Sequence, residues 1–186
     1  MPSTATTLQA YEEAVGKCRD LFLAKTLDYG TSWRVYRTIS IVDQIFIKAR
    51  RIRTLQETGI NRVGESITGE FMGILNYAVI GLLQLQQTDE RVDDLPYDEV
   101  EAGYNEAVAQ AQQLMEKKNH DYGEAWRDMS QESFADLILA KLLRIRQILR
   151  NEGKTTVSEG IEANYLDIFN YAAFALILIQ AGKHTG

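Results

Sequence analysis

An internal repeat constrains the fold of this chain more than any other feature of its sequence. The segment 25–33 reads K-T-L-D-Y-G-T-S-W, and 93 residues later the segment 118–126 reads K-N-H-D-Y-G-E-A-W. The same offset aligns residues 11–53 with 104–146 without a gap, and 18 of the 43 positions are identical. Because two units are too few for a solenoid, which needs about three or more, the repeat predicts a pair of related units that pack on one another.

Helical spacing of apolar residues dominates both units. Only two prolines occur, and the segments between glycines lack the alternation of a β-strand, so the chain is predicted to be all-α. The predicted fold is a tandem repeat of three-helix units, packed as an internal pseudo-dimer helical bundle. The first repeat spans 1–90 and the second 91–186, and the acidic segment 88–98 joins them. The predicted helices are 8–24, 41–58, 65–87, 97–118, 134–151 and 158–181.

Composition limits the classes of partner and compartment. The net charge of -6 argues against general affinity for nucleic acid or for an acidic membrane. The single cysteine, Cys18, excludes an internal disulfide and suits a cytoplasmic protein. The N-terminal residues do not resemble a signal peptide, and the longest apolar run, 171–179, is much shorter than the about 20 residues that span a bilayer. A small anionic substrate that carries a divalent cation remains compatible with this charge.

The last predicted helix carries polar residues that point to metal chemistry. Glu159, Glu162, Asp167 and Asn170 fall within one arc of about 140° on a helix that is otherwise apolar. A buried carboxylate is costly unless it is paired or ligates a metal, and Mg²⁺ prefers oxygen ligands. Glu159, Glu162 and Asp167 are therefore predicted as metal ligands and catalytic residues, with Asn170 at the substrate. The alternative is an ion pair with a neighbouring Lys or Arg. With one residue inserted, residues 65–86 align with 159–180, and Gly73 then stands where the second repeat has Asp167, so the second repeat is the predicted site.

Basic residues on the preceding helix suit a phosphate-bearing ligand. Asp136, Lys141 and Arg144 share one helix face, and the two cations are predicted to bind phosphate oxygens. A solvated or salt-bridged face is the alternative for this group. Arg53 and Arg146 lie on a more apolar side of their helices, so we expect them to reach across to the opposite repeat.

The repeated motif at 118–126 combines residue types that suit a nucleotide pocket. Tyr122 and Trp126 offer rings that can stack a base, Asp121 can accept hydrogen bonds from a base or sugar, and Lys118 can meet phosphate. These four residues are therefore predicted to bind substrate. A helix C-cap closed by an aromatic plug is the alternative, and the presence of the motif in both repeats fits either explanation.

These motifs resemble a known family over nearly the whole chain. The segments that match are K-x-x-D-Y-G-x-x-W, D-x-x-x-x-K-x-x-R-I and the E-x-x-x-x-x-x-x-D-x-x-N-Y-A helix at 159–172. They resemble nucleotide modification associated domain 1, a domain of unknown function, in its tandem form, and this implies a context of nucleotide metabolism. A looser resemblance, to the all-α NTP pyrophosphatases of the MazG and dimeric dUTPase type, implies Mg²⁺ held by Glu159, Glu162 and Asp167.

Residues and resemblance together give one leading expectation. The chain is expected to be a cytoplasmic, metal-dependent NTP pyrophosphohydrolase-like protein that acts on a small-molecule nucleotide with Mg²⁺, or with Mn²⁺ in its place. A non-catalytic nucleotide-binding or protein-interaction module is the alternative. Nucleic acid and membrane are not expected as partners, and a homo-oligomer is compatible with the sequence.

Overall fold

The computed structural model describes residues 4–87, 94–153 and 160–186, and every regular element within these ranges is helical. A short 3₁₀ turn follows the first helix of each repeat, at Ser32–Val35 and Ala125–Asp128. The all-α fold and its division into two three-helix repeats are therefore confirmed. The helices are α1 (Thr4–Tyr29), α2 (Thr38–Thr58), α3 (Ile67–Gln86), α4 (Tyr97–Tyr122), α5 (Gln131–Arg150) and α6 (Ile161–Gln180).

The first helix of each repeat is longer than predicted. Gly30 and Gly123 follow these helices with φ angles of 70° and 61°, and glycine takes this left-handed conformation at little cost. The helices therefore continue to the glycine, and the Lys, Asp and Tyr of the repeated motif lie on a final helical turn. At the other end of the chain, α6 begins at Ile161, and predicted helix residues 158 and 159 lie outside the described residues.

The centre of the bundle is the contact between α3 and α6. Each of these helices also packs against the second helix of its own repeat, and α2 packs against α5. This arrangement explains why α3 and α6 are apolar on nearly every side. By length and composition α3 would be able to cross a bilayer, but 61% of its apolar window is buried, as expected for a core helix. Their fully buried side chains include Phe71, Ile74, Leu75, Tyr165, Ile168 and Phe169.

Two buried amides link the repeats through equivalent hydrogen bonds. Asn76 of α3 accepts a hydrogen bond of 2.8 Å from the hydroxyl of Tyr104, and Asn170 of α6 accepts one of 2.7 Å from the hydroxyl of Tyr11. Each amide also donates to a backbone carbonyl in the first helix of its own repeat, at 3.1 and 3.0 Å. Asn170 therefore contributes to packing between the repeats, and its predicted contact with a substrate stays a prediction.

Ion pairs at the α2–α5 contact repeat the same symmetry. Arg146 lies 2.8 Å from Asp43, and Arg53 lies 3.8 Å from Asp136 in the equivalent position. The expectation that both arginines reach across is confirmed. Asp136 therefore faces the other repeat and not Lys141, so the predicted face that combined these two residues with Arg144 is wrong.

Loss of one inter-repeat hydrogen bond is expected to be measurable. The Tyr11→Phe variant leaves the buried Asn170 oxygen without its hydroxyl donor, which costs about 1–3 kcal/mol of the free energy of unfolding. Urea denaturation of the full chain checks this value. Tyr122→Phe is the control, because the Tyr122 side chain is exposed. Equal stability of the two variants would contradict the role of the amide.

Candidate functional site

A cavity of about 490 Å³ opens in the first repeat, between the end of α1, the 3₁₀ turn, α2 and the first half of α3. The first copy of the repeated motif, at 25–33, forms one of its walls. This first-repeat pocket lies in the repeat where the sequence did not predict the metal site. Its lining includes Lys25, Trp33, Lys48, Glu70, Gly73 and Tyr77.

One end of the first-repeat pocket is charged. Glu70 is buried near the start of α3, where Arg51 lies 3.0 Å and Lys48 3.7 Å from its carboxylate oxygens. Burial raises the pKa of Glu70 and a hydrogen bond with Glu65 raises it further, while Lys48 and Arg51 act in the opposite direction. The same hydrogen bond is the main cause that lowers the pKa of Glu65. The pKa values of the two neighbouring carboxyl groups are therefore shifted in opposite directions.

Aromatic side chains also line the pocket. Trp33 lies with its ring centroid 6.3 Å from that of Phe22, and Tyr77 lines the pocket from α3 with its ring centroid 5.9 Å from the Lys48 ammonium group. Burial raises the pKa of Tyr77, and the neighbouring Tyr36, hydrogen-bonded to it, raises it further. The amide of Gln84 donates to three backbone carbonyls of the 3₁₀ turn region, at 2.9–3.3 Å, and so fixes the turn that carries Trp33.

The equivalent space in the second repeat is filled by an ion pair at one end. Asp167 is 5% exposed, and its two oxygens lie 2.6 Å from the ammonium group of Lys118 and 2.9 Å from that of Lys141. These two lysines correspond to Lys25 and Lys48 of the first repeat. Asp167 therefore forms ion pairs with neighbouring lysines, which was the alternative to a metal ligand.

The other end of the second-repeat space is filled by a stacked ring pair. The Trp126 and Phe174 rings are nearly parallel, at 5°, with centroids 4.3 Å apart, and Trp126 is 6% exposed. The Trp126 indole donates to Asn119 at 3.1 Å. Trp126 therefore matches the alternative interpretation of the repeated motif, in which an aromatic side chain closes the end of the helix. In the first repeat, Ile80 stands where Phe174 stands here.

The remaining predicted ligand contacts are dispersed. The side chains of Asp121 and Tyr122 are both 73% exposed on the last turn of α4, away from the buried Trp126. Arg144 is half-buried on α5 and donates to Gln147 at 3.5 Å. Of the predicted substrate-binding set, Lys118 and Lys141 meet at Asp167.

The described residues of the second repeat do not fit a Mg²⁺ site. Glu162 is exposed whereas Asp167 is buried with a cation on each oxygen, and a divalent ion would have to displace both lysines. Within 4–87, 94–153 and 160–186, there is no group of three or more potential metal-ligating side chains. Glu159 lies outside the described residues, so Mg²⁺ or Mn²⁺ binding through it stays a prediction.

The fold defines a tandem all-helical protein in which one copy of a common pocket is open and the other is filled. The family model of nucleotide modification associated domain 1 matches residues 25–85 and 118–179, which are the same helices in the two repeats. The chain belongs to this family, in tandem form. No curated protein and no solved structure matches the chain significantly. The looser resemblance to the all-α NTP pyrophosphatases stays a prediction.

Proposed function

We propose that the first-repeat pocket binds a small-molecule nucleotide and that the second repeat supports this pocket without an open copy of its own. The observation that carries the proposal is a cavity of about 490 Å³ that is lined by both aromatic rings and lysines. Ligand pockets in proteins range from about 300 to 1,000 Å³ and combine apolar walls with a few polar groups. The pocket has this size and this composition.

The aromatic side chains of the pocket suit a base. Trp33 and Tyr77 border the cavity, and stacking of a base on an aromatic side chain contributes about 1–3 kcal/mol. Stacking tolerates any base, since every base has a π-face. The pocket therefore favours a nucleotide as the ligand but does not indicate which base it carries.

The charged end suits phosphate. Lys25 and Lys48 line the cavity beside the first turn of α3, and Arg51 lies behind Glu70. Helix N-termini attract anions, and Ser66 orders this one by accepting a hydrogen bond from Gly69. Three basic groups lie near two carboxyl groups, so this end carries a net positive charge even when both carboxyl groups are ionised.

Hydrolysis is the catalytic form of the same proposal. Glu65 and Glu70 are the carboxyl groups that line the pocket, and carboxylate oxygens are the ligands that Mg²⁺ uses. Their contacts with Lys48 and Arg51 compete with a metal, which favours nucleotide binding without catalysis. Pyrophosphate release from nucleoside triphosphates, assayed with Mg²⁺ and with Mn²⁺, distinguishes the two forms.

Replacement of one pocket lysine is expected to weaken nucleotide binding. The Lys25→Ala variant removes a cation at the phosphate end, and we expect the Kd for a nucleoside triphosphate to rise about tenfold, equivalent to roughly 1.4 kcal/mol. Isothermal titration calorimetry over a panel of nucleoside triphosphates measures this change. Binding of the corresponding nucleosides should be nearly unaffected, since they carry no phosphate.

Lys17→Ala is the matched control. Lys17 is an exposed lysine of the same helix, outside the pocket lining, and its contact is a 3.4 Å hydrogen bond to Gln180. This variant should bind as tightly as the unmodified chain. Absence of binding by the unmodified chain to every nucleotide in the panel, or equal weakening in both variants, would overturn the proposed function.

A further inference from the structure

The filled second repeat shows how the open first repeat holds its ligand. We infer that Asp167 and Phe174 act as a built-in substitute for a ligand, so that the ligand's anionic group lies over Gly73 between Lys25 and Lys48 and its ring lies on Trp33. This inference rests on the proposed nucleotide binding and adds the position, spacing and chemical class of the bound groups.

The anion position follows from the paired lysines. In the second repeat, Lys118 and Lys141 hold the two oxygens of one carboxylate at 2.6 and 2.9 Å, a geometry that serves a carboxylate or a phosphate. The first repeat keeps both cations, as Lys25 and Lys48. Two lysines converge on an acid in one copy, so the same two positions in the other copy are suited to an acid from outside.

Gly73 supplies no carboxylate of its own, and the flexible end of Lys48 lies in the space that an acid would enter. A Cβ atom added at residue 73 would lie 3.1 Å from the Lys48 ammonium nitrogen and 2.9 Å from its Cε, so the lysine lies directly over the glycine. Lys48 is 3.7 Å from Glu70, whereas Arg51 makes the closer contact of 3.0 Å with that residue. An ammonium group has three donors, so Lys48 retains capacity to bind a further anion.

The ring position follows from the stacked pair. Phe174 covers Trp126 in a nearly parallel stack at 4.3 Å, which is a favourable geometry for aromatic rings. Ile80 replaces this phenylalanine in the first repeat and lines the cavity together with Trp33. Trp33, which is 7% exposed, borders the cavity beside this smaller, non-planar side chain, and a ligand ring can take the place of the Phe174 ring there.

The spacing of the two substitutes indicates the length of the ligand. Asp167 and Phe174 are two helical turns apart on α6, and seven residues at 1.5 Å each correspond to about 10.5 Å along the helix axis. We place the terminal phosphate of a nucleoside diphosphate or triphosphate between Lys25 and Lys48, because its phosphate chain lets the anionic group lie further from the base than in a monophosphate.

The test introduces the substitute into the open repeat. In the Gly73→Asp variant, the new carboxylate should bind Lys25 and Lys48, displacing the flexible end of Lys48, and compete with the ligand. We expect the Kd for nucleoside triphosphates to rise at least about a hundredfold. Gly73→Asn is the matched control, since it has the same size without the charge, and its Kd should be at least about tenfold lower than that of the Asp variant. The unmodified chain should bind triphosphates and diphosphates more tightly than monophosphates.

A second readout does not require a ligand. The Asp variant is expected to melt at a higher temperature than the Asn variant, because only the carboxylate neutralises both lysines. An Asp variant that melts no higher than the Asn variant, or that binds triphosphates as tightly, overturns the inference. If the unmodified chain binds no nucleotide, the proposed function and the ligand class are overturned. The melting temperatures of the Asp and Asn variants then still test whether an anion binds between Lys25 and Lys48.

Discussion

Each repeat, produced alone, is expected to lack a stable fold as a monomer. The core lies between the repeats: the Tyr165 ring packs directly on Gly81, where an added Cβ would lie 2.5 Å from it, and Phe22 lies 5.1 Å from Tyr104. Separation would expose the apolar faces of α3 and α6, which are fully buried in the intact chain. A unit of about 90 residues that loses half of its core has little free energy of unfolding left.

Fragments 1–90 and 91–186 check this expectation by circular dichroism and thermal melting. Each fragment should show weak helicity without a cooperative transition, and mixing the two should restore the helical signal at a ratio of one to one. A fragment that folds only as a dimer agrees with the expectation, since a second copy then supplies the missing face. A monomeric fragment with a cooperative melt would contradict it.

The fold was predictable because duplication supplies the same constraint twice. The periodicity of each helix predicted its existence. The offset, 93 residues in the first two helices and 94 in the third, predicted equivalent partners, as the Asn76 and Asn170 hydrogen bonds confirm. The ends of α1 and α4 were placed too early. Apolar periodicity weakens near an exposed helix end, and the glycine that ends each helix lies about two turns beyond the last buried apolar residue.

The candidate site was harder to predict because the decisive features are spatial. Asp167 was interpreted as a functional carboxylate and Gly73 as the loss of that carboxylate. A sequence shows which side chains are present, but it does not show the space that a missing side chain leaves. The partner of Asp167 at 2.6 Å is Lys118, 49 residues away and on another helix, so no local spacing indicated the pair. The difference between Ile80 and Phe174 was visible in the alignment and, taken with Gly73, signals the open copy.

The motif itself did not distinguish a pocket from a plug. Trp33 and Trp126 occupy equivalent motif positions, yet one borders a cavity and the other is covered by Phe174. The outcome depends on a residue of a different helix, more than 40 positions away. The shared motif therefore predicts that the two tryptophans hold equivalent positions in the fold. It does not predict whether each one lines a pocket or fills it.

Opening the second repeat is expected to double the number of bound nucleotides. The double variant Asp167→Gly with Phe174→Ile gives the second repeat the residues that the first has at Gly73 and Ile80. It releases Lys118 and Lys141 and uncovers Trp126, so the stoichiometry in calorimetry should change from one to two per chain. A glycine within a helix costs about 1 kcal/mol, and the lost ion pair adds to this, so the titration belongs well below the melting temperature.

An exchange variant provides the control for this result. Combining Gly73→Asp and Ile80→Phe with the double variant should close the first repeat while the second is open, which returns the stoichiometry to one. Binding should then depend on Lys118 and no longer on Lys25, since these lysines hold equivalent positions in the two repeats. Lys118→Ala in the exchange variant should raise the Kd about tenfold, whereas Lys25→Ala should leave it unchanged. A double variant that keeps the helical signal of the unmodified chain and still binds one nucleotide would show that the two repeats differ by more than the two side chains that fill the second.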